Sequence, residues 1–481
     1  MTSRWLFLSF LLFQLSFSQS DLLQQVNSLE LQGKFKEAEL LLQKALADGT
    51  IGSGERKQLA FEFDRLDRIR KDYPLSKERL FKILSESVKE LTQQEFDRWI
   101  AEGRFDSRTI DGTLFFMGSS RSNLFFRYPE LSARRIHAPD DTEFERSTLH
   151  AVETIAAEAR RRATPFVLPR TFRNTMTVTL KADAVPPREN VRAWLPIPRS
   201  FPHQKNFRVI SSSSPIKNLD SEASPIRSVY LEQKTEEGKP TVFSVEYEYT
   251  GYGVFFDVKP ESVKAYHRND TEYVRYTKEG PHVVFTDRIK TLSAQLAGGE
   301  PNPFVRAKRF YDWISETIKY SYALEYSTIR NISEYCAQMG YGDCGQAALL
   351  FITLCRYNGI PARWQSGWLT IPGGKTIHDW TEIYLSPYGW IPADPYMGVF
   401  AMQYFKGSEE RRKKIRDFYF GGLDQYRMAA NSDHNQALNP PKRSFRSDNV
   451  DFQRGELEYG ETNIYFDKYS FKLDVQEVKS N

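Results

Sequence analysis

Three side chains in this sequence could do chemistry together: Cys344, His378 and Asp394. Cys344 lies in Gly342-Asp343-Cys344-Gly345-Gln346. Gly342 permits a tight turn, Asp343 is a favoured N-cap type, and Ala347, Leu350, Phe351, Leu354 and Cys355 then recur at helical spacing. Cys344 is therefore predicted in the first turn of a helix, where unpaired N–H groups and the helix dipole favour a thiolate. The thiol is expected to titrate below the ordinary value of about 8.5, and its own N–H could donate to an oxyanion. A thiol nucleophile needs a base, and the base needs an orienting acceptor. His378 opens a strand-like run, His378-Asp379-Trp380-Thr381-Glu382-Ile383-Tyr384-Leu385, whose alternation puts His378, Trp380, Glu382 and Tyr384 on one face. After a turn at residues 386–389, Trp390 to Asp394 reads as the returning strand. If Leu385 pairs with Trp390, Asp394 falls opposite Thr381 and off the His378 face, so a bulge or another loop is required. Taken singly, each residue has an ordinary reading: a structural cysteine, a core or surface histidine, an Asp-Pro turn. Their joint occurrence gives the weight.

The remaining chemistry is sparse. The only other cysteines are Cys336 and Cys355. Cys355 is about 16 Å further along the same predicted helix, too far for a disulfide, and is expected in the core. Cys336 lies in a less regular stretch and could be buried or free. No cofactor motif is present, and Cys344, His378 and Asp394 lack the close ligand pairs of usual zinc motifs, so no metal is expected. With 66 basic against 62 acidic residues, no nucleic-acid footprint is expected. Arg4 and the short apolar run over residues 5–17, followed by small residues, have the pattern of a secretory signal peptide. An exported protein, periplasmic or extracellular, with no stable membrane span after cleavage, is the expectation.

Around these residues the chain reads in five parts: a signal peptide over 1–18, a helical N-terminal domain over 19–163, a β-sandwich-like domain over 164–285, a catalytic core over 286–400, and a C-terminal extension over 401–481 whose strands pack on the core. Thr92 and Glu95 make a capping-box pattern in the helical part. Short β-branched and aromatic runs at 175–180, 191–195, 228–231 and 242–249, separated by Pro, Gly, Asn and Ser clusters, predict an antiparallel sandwich. Helix returns near 304–318, and strand-like stretches follow at 450–459 and 464–475.

Residues 342–395 resemble the core of the transglutaminase-like superfamily. The resemblance is carried in order by Gly342-Asp343-Cys344-Gly345, by Leu354-Cys355-Arg356 with Gly359-Ile360-Pro361-Ala362-Arg363, by His378-Asp379-Trp380-Thr381-Glu382, and by Gly389-Trp390-Ile391-Pro392-Ala393-Asp394-Pro395. It implies an α+β, papain-like core of the exported bacterial type and acyl transfer through a thioester. Cys344 matches the nucleophile, His378 the general base and Asp394 the orienting acid; Trp380 and Glu382 match positions supporting the His378 strand, with Asp343 beside the nucleophile. The second oxyanion donor is unassigned, with Tyr320, Tyr322 and Trp313 as chemical candidates. No acidic cluster matches the calcium sites of animal relatives. The expected reaction is thiol-dependent acyl transfer on peptide or protein amides. Water as acceptor gives a peptidase, amidase or deamidase, and an amine gives a transglutaminase. Cell-wall peptide is one substrate class suited to an exported bacterial protein. The alternative is a non-catalytic exported scaffold retaining the fold.

Overall fold

A computed structural model describes residues 19–49 and 51–478. The expected signal peptide at 1–18 lies outside the described residues. The chain divides into two compact units, one formed by residues up to Leu80 with Asp106–Gly118, the other by Phe81–Phe105 with the chain from Ser119 onward. The first unit holds helices Phe35–Leu46 and Ser53–Asp72 and the antiparallel pair Ser107–Ile110 and Thr113–Phe116. Phe35, Ala38, Leu42, Leu59 and Leu66 are fully buried there.

The second unit is α+β and contains the candidate site. Two five-stranded sheets form its sandwich. One runs Gly422–Leu423, Thr241–Phe255, Phe166–Leu180, Tyr469–Val478, with Gln204–Ser212 also paired to Thr241–Phe255. The other runs Thr462–Ile464, Glu456–Tyr459, Asn190–Pro196, Ser228–Lys234, Asn218–Leu219. Met176, Val178, Val191, Leu195, Val229, Leu231, Val245, Leu457 and Leu473 pack together between them. Strands after residue 420 thus complete both sheets, and Arg427–Asn431 leaves them to join the sheet that carries His378.

That four-stranded antiparallel sheet has the order Gly389–Ala393, Thr376–Leu385, Ala362–Leu369, Arg427–Asn431. Against it lies the helix Cys344–Tyr357, buried at every position from Gly345 to Arg356. An all-round apolar helix has no solvated face to present, so it becomes the centre of its core. Helices Pro303–Thr317 and Ile332–Met339 contribute to the same core through Phe310, Tyr311, Ile314 and Ile332.

Close approach of two strands behind the site depends on one glycine. A Cβ at Gly367 would meet the Met428 carbonyl oxygen at 1.8 Å, and that atom is backbone in the adjacent strand. Gly367→Ala is expected to cost about 4 kcal/mol or more, read as a shifted midpoint in urea unfolding. A loss under about 1 kcal/mol would mean that the strand pair separates easily there.

Candidate active site

Asp343 caps the Cys344 helix: its Oδ1 accepts the Gln346 N–H at 3.0 Å, while Gln346 Oε1 accepts the Asp343 N–H at 3.2 Å. Cys344 is therefore the first residue of the helix, and its N–H has no intrahelical acceptor.

The hairpin that carries the other two residues differs by one position from the simple count. Leu385 pairs with Gly389, not Trp390, and Thr381 pairs with Ala393. Gly389 has φ of +81°, a value glycine adopts without steric penalty, and this closes the turn one residue earlier. Asp394 then follows Ala393 at the level of Trp380 and comes to the His378 side with no bulge in the pairing. His378 Nε2 lies 2.8 Å from Asp394 Oδ2. Asp394 also caps helix Pro395–Gln403, its Oδ1 accepting the Met397 N–H at 3.1 Å. Both side chains are fully buried.

Arg427, from the far strand of the sheet, holds the Asp394 carboxylate from behind. Its Nη1 is 2.9 Å from Asp394 Oδ2, and its Nε donates to Asp424 Oδ2 at 3.0 Å. Burial alone would raise the Asp394 carboxyl, but the charges of His378 and Arg427 and the hydrogen bonds from His378 and Met397 hold it below the usual range. Burial lowers the His378 imidazole below its ordinary value; Asp394 opposes this and Arg427 adds to it. The ring stacks near-parallel on Trp380, 5.8 Å between centroids, and meets Tyr396 edge-on at 4.8 Å. With Nε2 committed to Asp394, Nδ1 is the remaining polar atom of the ring, and it has no partner.

Cys344 does not hydrogen-bond to His378. Its thiol donates to Asp379 Oδ2 at 3.2 Å. Asp379 follows His378 in the strand and so projects to the other face, toward the helix. Its Oδ1 accepts from Gln453 Nε2 at 2.7 Å, and the same amide donates to the His378 carbonyl at 2.8 Å. Tyr326 O–H donates to Asp343 Oδ1 at 2.7 Å, and Ser366 and Asn431 donate to Asp451. Asp343, Asp379 and Asp451, from three separate segments, thus share one buried region beside the thiol. Burial, then Asp379 and Asp343, push the thiol well above its ordinary value. The low-titrating thiol expected from the helix start is therefore corrected: enclosure and two carboxyl neighbours outweigh a helix dipole effect of about 1 kcal/mol. Part of the Cys344 surface still faces open space.

That space consists of two cavities, and Cys344 lines both. The larger, about 590 Å³, also meets His378, Tyr320, Tyr322, Tyr396 and Phe400. The smaller, about 210 Å³, meets Asp343, Asp379, Asp451, Glu325 and Arg454. Of the three candidates for a second oxyanion donor, Tyr320 and Tyr322 line both cavities beside Cys344. Trp313 lines a different depression with Asp287 and Ala337. Trp380 lies under the His378 ring, with the Arg427 guanidinium 5.7 Å from its own ring. Glu382 accepts from Arg363 at 2.8 Å and Gln365 at 2.7 Å, tying its strand to the neighbouring one without touching His378. Among the described residues, no group of three His, Cys, Asp or Glu side chains is placed to hold a metal ion. No helix among them is long and apolar enough to cross a membrane.

Sequence reasoning missed Asp379, Gln453, Asp451 and Arg427. Asp379 sits inside the motif that drew attention to His378, and strand alternation already puts it on the opposite face. The other three come from residues 427–453, where nothing local points to the site.

The acidic group has a pH signature. Burial and the nearby Asp448 push Asp451 up to about 7, and burial pushes Asp343 up to about 6. Between the unfolded value near 4 and those folded values, the folded state keeps protons that the unfolded state has released. The contribution of these two carboxyls to stability therefore falls as pH rises from about 4 to about 7. Asp451→Asn is expected to remove part of this slope, gaining on the order of 2 kcal/mol over the parent at pH 8 and little at pH 4. Urea unfolding at pH 4, 6 and 8 checks it; an equal offset at all three would place the effect in packing alone.

Comparison with known proteins follows the same residues. The model of the transglutaminase-like superfamily matches residues 290–395. An uncharacterized protein, YebA of Bacillus subtilis strain 168, is 28% identical over 146 residues, covering 26% of this chain. The match spans only 19% of that relative's own length. Among solved structures, a candidate cysteine protease from Cytophaga hutchinsonii aligns over 66% of this chain and 93% of its own at 15% identity, with a TM-score of 0.43. The periplasmic domain of TgpA from Pseudomonas aeruginosa aligns over 50% of this chain and 92% of its own at 14% identity, with a TM-score of 0.27. Residues 290–395, which contain the Cys344 helix, the His378 strand and Asp394, are a transglutaminase-like domain.

Proposed function

We propose that this protein is a thiol-dependent acyl-transfer enzyme acting on peptide or protein amides, with Cys344, His378 and Asp394 as its triad. The observation that carries the reading is the buried His378–Asp394 hydrogen bond, which leaves Nδ1 unpartnered on a residue that lines one cavity with Cys344. In the reaction the thiol leaves Asp379 and gives its proton to His378 Nδ1. The sulfur attacks the amide carbonyl carbon, and the oxyanion is met by the Cys344 N–H, with a Tyr320 or Tyr322 hydroxyl as second donor. The C–N bond breaks, the leaving amine takes the proton from His378, and a thioester remains. Water or an amine then gives a proton to His378 and attacks the thioester, and the thiol recovers that proton. Asp394 holds the imidazole in the tautomer whose Nδ1 accepts. The sequence of residues 1–18 adds export, and with it peptide substrates outside the cytosol, cell-wall peptide among them.

One observation favours the second reading, a binding module that keeps the fold: the resting thiol rests on a carboxyl group, away from the imidazole. A peptide library incubated with wild type and Cys344→Ala, with and without a primary amine, separates the readings by mass spectrometry. Free acid or amine adduct that depends on Cys344 supports acyl transfer and names the acceptor. Identical traces from both proteins would leave the binding module.

A further inference from the structure

Three cationic residues line the larger cavity, Arg135, Lys375 and Lys406, and nothing in the mechanism uses them. Arg135 lines it together with Cys344 and His378. Its guanidinium lies 4.6 Å from the centre of the Phe125 ring, a cation–π contact that fixes its direction. Its main chain is anchored on both sides: Lys89 N–H donates to the Arg134 carbonyl at 2.8 Å, and Ile136 N–H to the Ser87 carbonyl at 3.0 Å. Among the described residues, no carboxylate lies within ion-pair distance of Arg135 and no side-chain hydrogen bond reaches it. Burial, and the nearby Arg121, lower its guanidinium from the ordinary value, so its charge is held at a cost that an anion would relieve.

Of the three cations, Arg135 is the one held by a ring contact beside the aromatic wall. Lys375 Nζ donates to the Leu473 carbonyl at 3.1 Å, and of Lys406 the Glu145 carboxylate meets only the main chain, accepting its N–H at 3.2 Å. Asp141 interacts with Arg135 only at longer range. The inner wall is aromatic and interlocked: Phe126 meets Tyr320 edge-on at 4.6 Å, and Tyr320 meets Phe400 edge-on at 5.1 Å. A cavity of this volume is within the range that small ligands and short peptide segments fill. Its lining combines an interlocked aromatic wall, the Cys344 thiol and a guanidinium that no carboxylate pairs.

We propose that the cavity selects acyl donors carrying a carboxylate near the reacting amide, the carboxylate pairing with Arg135 while an apolar part of the donor lies against Phe126, Tyr320 and Phe400. This deepens the acyl-transfer reading of the same site and rests on it for turnover, not for binding. Two matched fluorogenic peptide libraries test it, identical except that Asp and Glu flanking the scissile amide in one are Asn and Gln in the other. Wild type, Arg135→Gln and Arg135→Lys are assayed for kcat/KM, and the same Arg135 changes are made in Cys344→Ala protein for binding by fluorescence anisotropy. Wild type is expected to prefer the acidic library about 10-fold, the gain of a charged hydrogen bond. Arg135→Gln brings the ratio close to one through KM, and Arg135→Lys restores part of it. Binding in the Cys344→Ala background follows the same order. If Arg135 serves only the fold, its replacement lowers the melting temperature and leaves the ratio intact, which overturns the proposal. Equal binding of both libraries by the unsubstituted Arg135 protein, or no binding of either, also overturns it. Acid-selective binding that depends on Arg135, without turnover, sustains the subsite and ends the acyl-transfer reading.

Discussion

Cys344→Ala is expected to lower kcat for amide cleavage by about 10⁴-fold or more, and His378→Ala by a similar factor. The double variant should be little worse than either single one, because nucleophile and base act as a unit. The geometry behind the His378 value is specific. Nε2 is occupied by Asp394, Nδ1 is the one ring nitrogen left without a partner, and His378 lines a cavity together with Cys344. Stability should barely change in Cys344→Ala, since the thiol makes a single hydrogen bond and part of the residue is already exposed. The thiol itself should alkylate slowly at neutral pH, because burial, Asp379 and Asp343 hold it protonated. Asp379→Asn removes the nearest carboxyl, keeps the side-chain shape, and should speed iodoacetamide labelling of Cys344 at each pH on the rising limb. Steady-state kinetics on one cleaved peptide, with labelling followed by peptide mass spectrometry, reads both effects. Full activity in Cys344→Ala would end the proposed mechanism; unchanged labelling in Asp379→Asn would move the control of the thiol to burial alone.

What could be read from the sequence follows how local each signal is. The Cys344 helix was legible because its cap, its start and its apolar spacing all lie within residues 343–357. The His378 strand was legible for the same reason, down to the face on which Trp380 and Glu382 sit. The hairpin register was not, because it turns on the φ of Gly389, a conformation that the residue type permits but does not impose. The state of the thiol was further out of reach. It is set by burial and by Asp379 and Asp343, an environment that only tertiary folding assembles, and the local helix signal pointed the other way. The sandwich was visible in the runs at 175–180, 191–195, 228–231 and 242–249, yet both of its sheets are completed by strands from beyond residue 420. Gln204–Ser212 escaped notice because most of its positions are polar and solvent-facing, as suits a strand at a sheet edge.

Arg427 is the group whose loss should propagate furthest. Arg427→Met is expected to cost about 3–5 kcal/mol, because it leaves the buried carboxylates of Asp394 and Asp424 without their shared cation. The sign of the pH dependence follows from Asp394. Its folded carboxyl is depressed, so it contributes stability above its unfolded value that is lost as pH falls through the folded one. Without Arg427 the folded value rises, and the acid loss begins at higher pH. His378 responds in the same direction, because a cation that lowers its imidazole has gone, so the acid limb of kcat/KM should move to higher pH. Arg427→Lys keeps the charge but not the fork that reaches both carboxylates, and should fall between the two. Urea unfolding from pH 4 to 8 and a pH–rate profile for each variant separate two roles. A fall in stability with an unmoved acid limb would make Arg427 a packing element of the sheet. A moved limb, partly restored by lysine, makes it the positioning residue that sets the charge on Asp394 and, through Asp394, the proton affinity of His378.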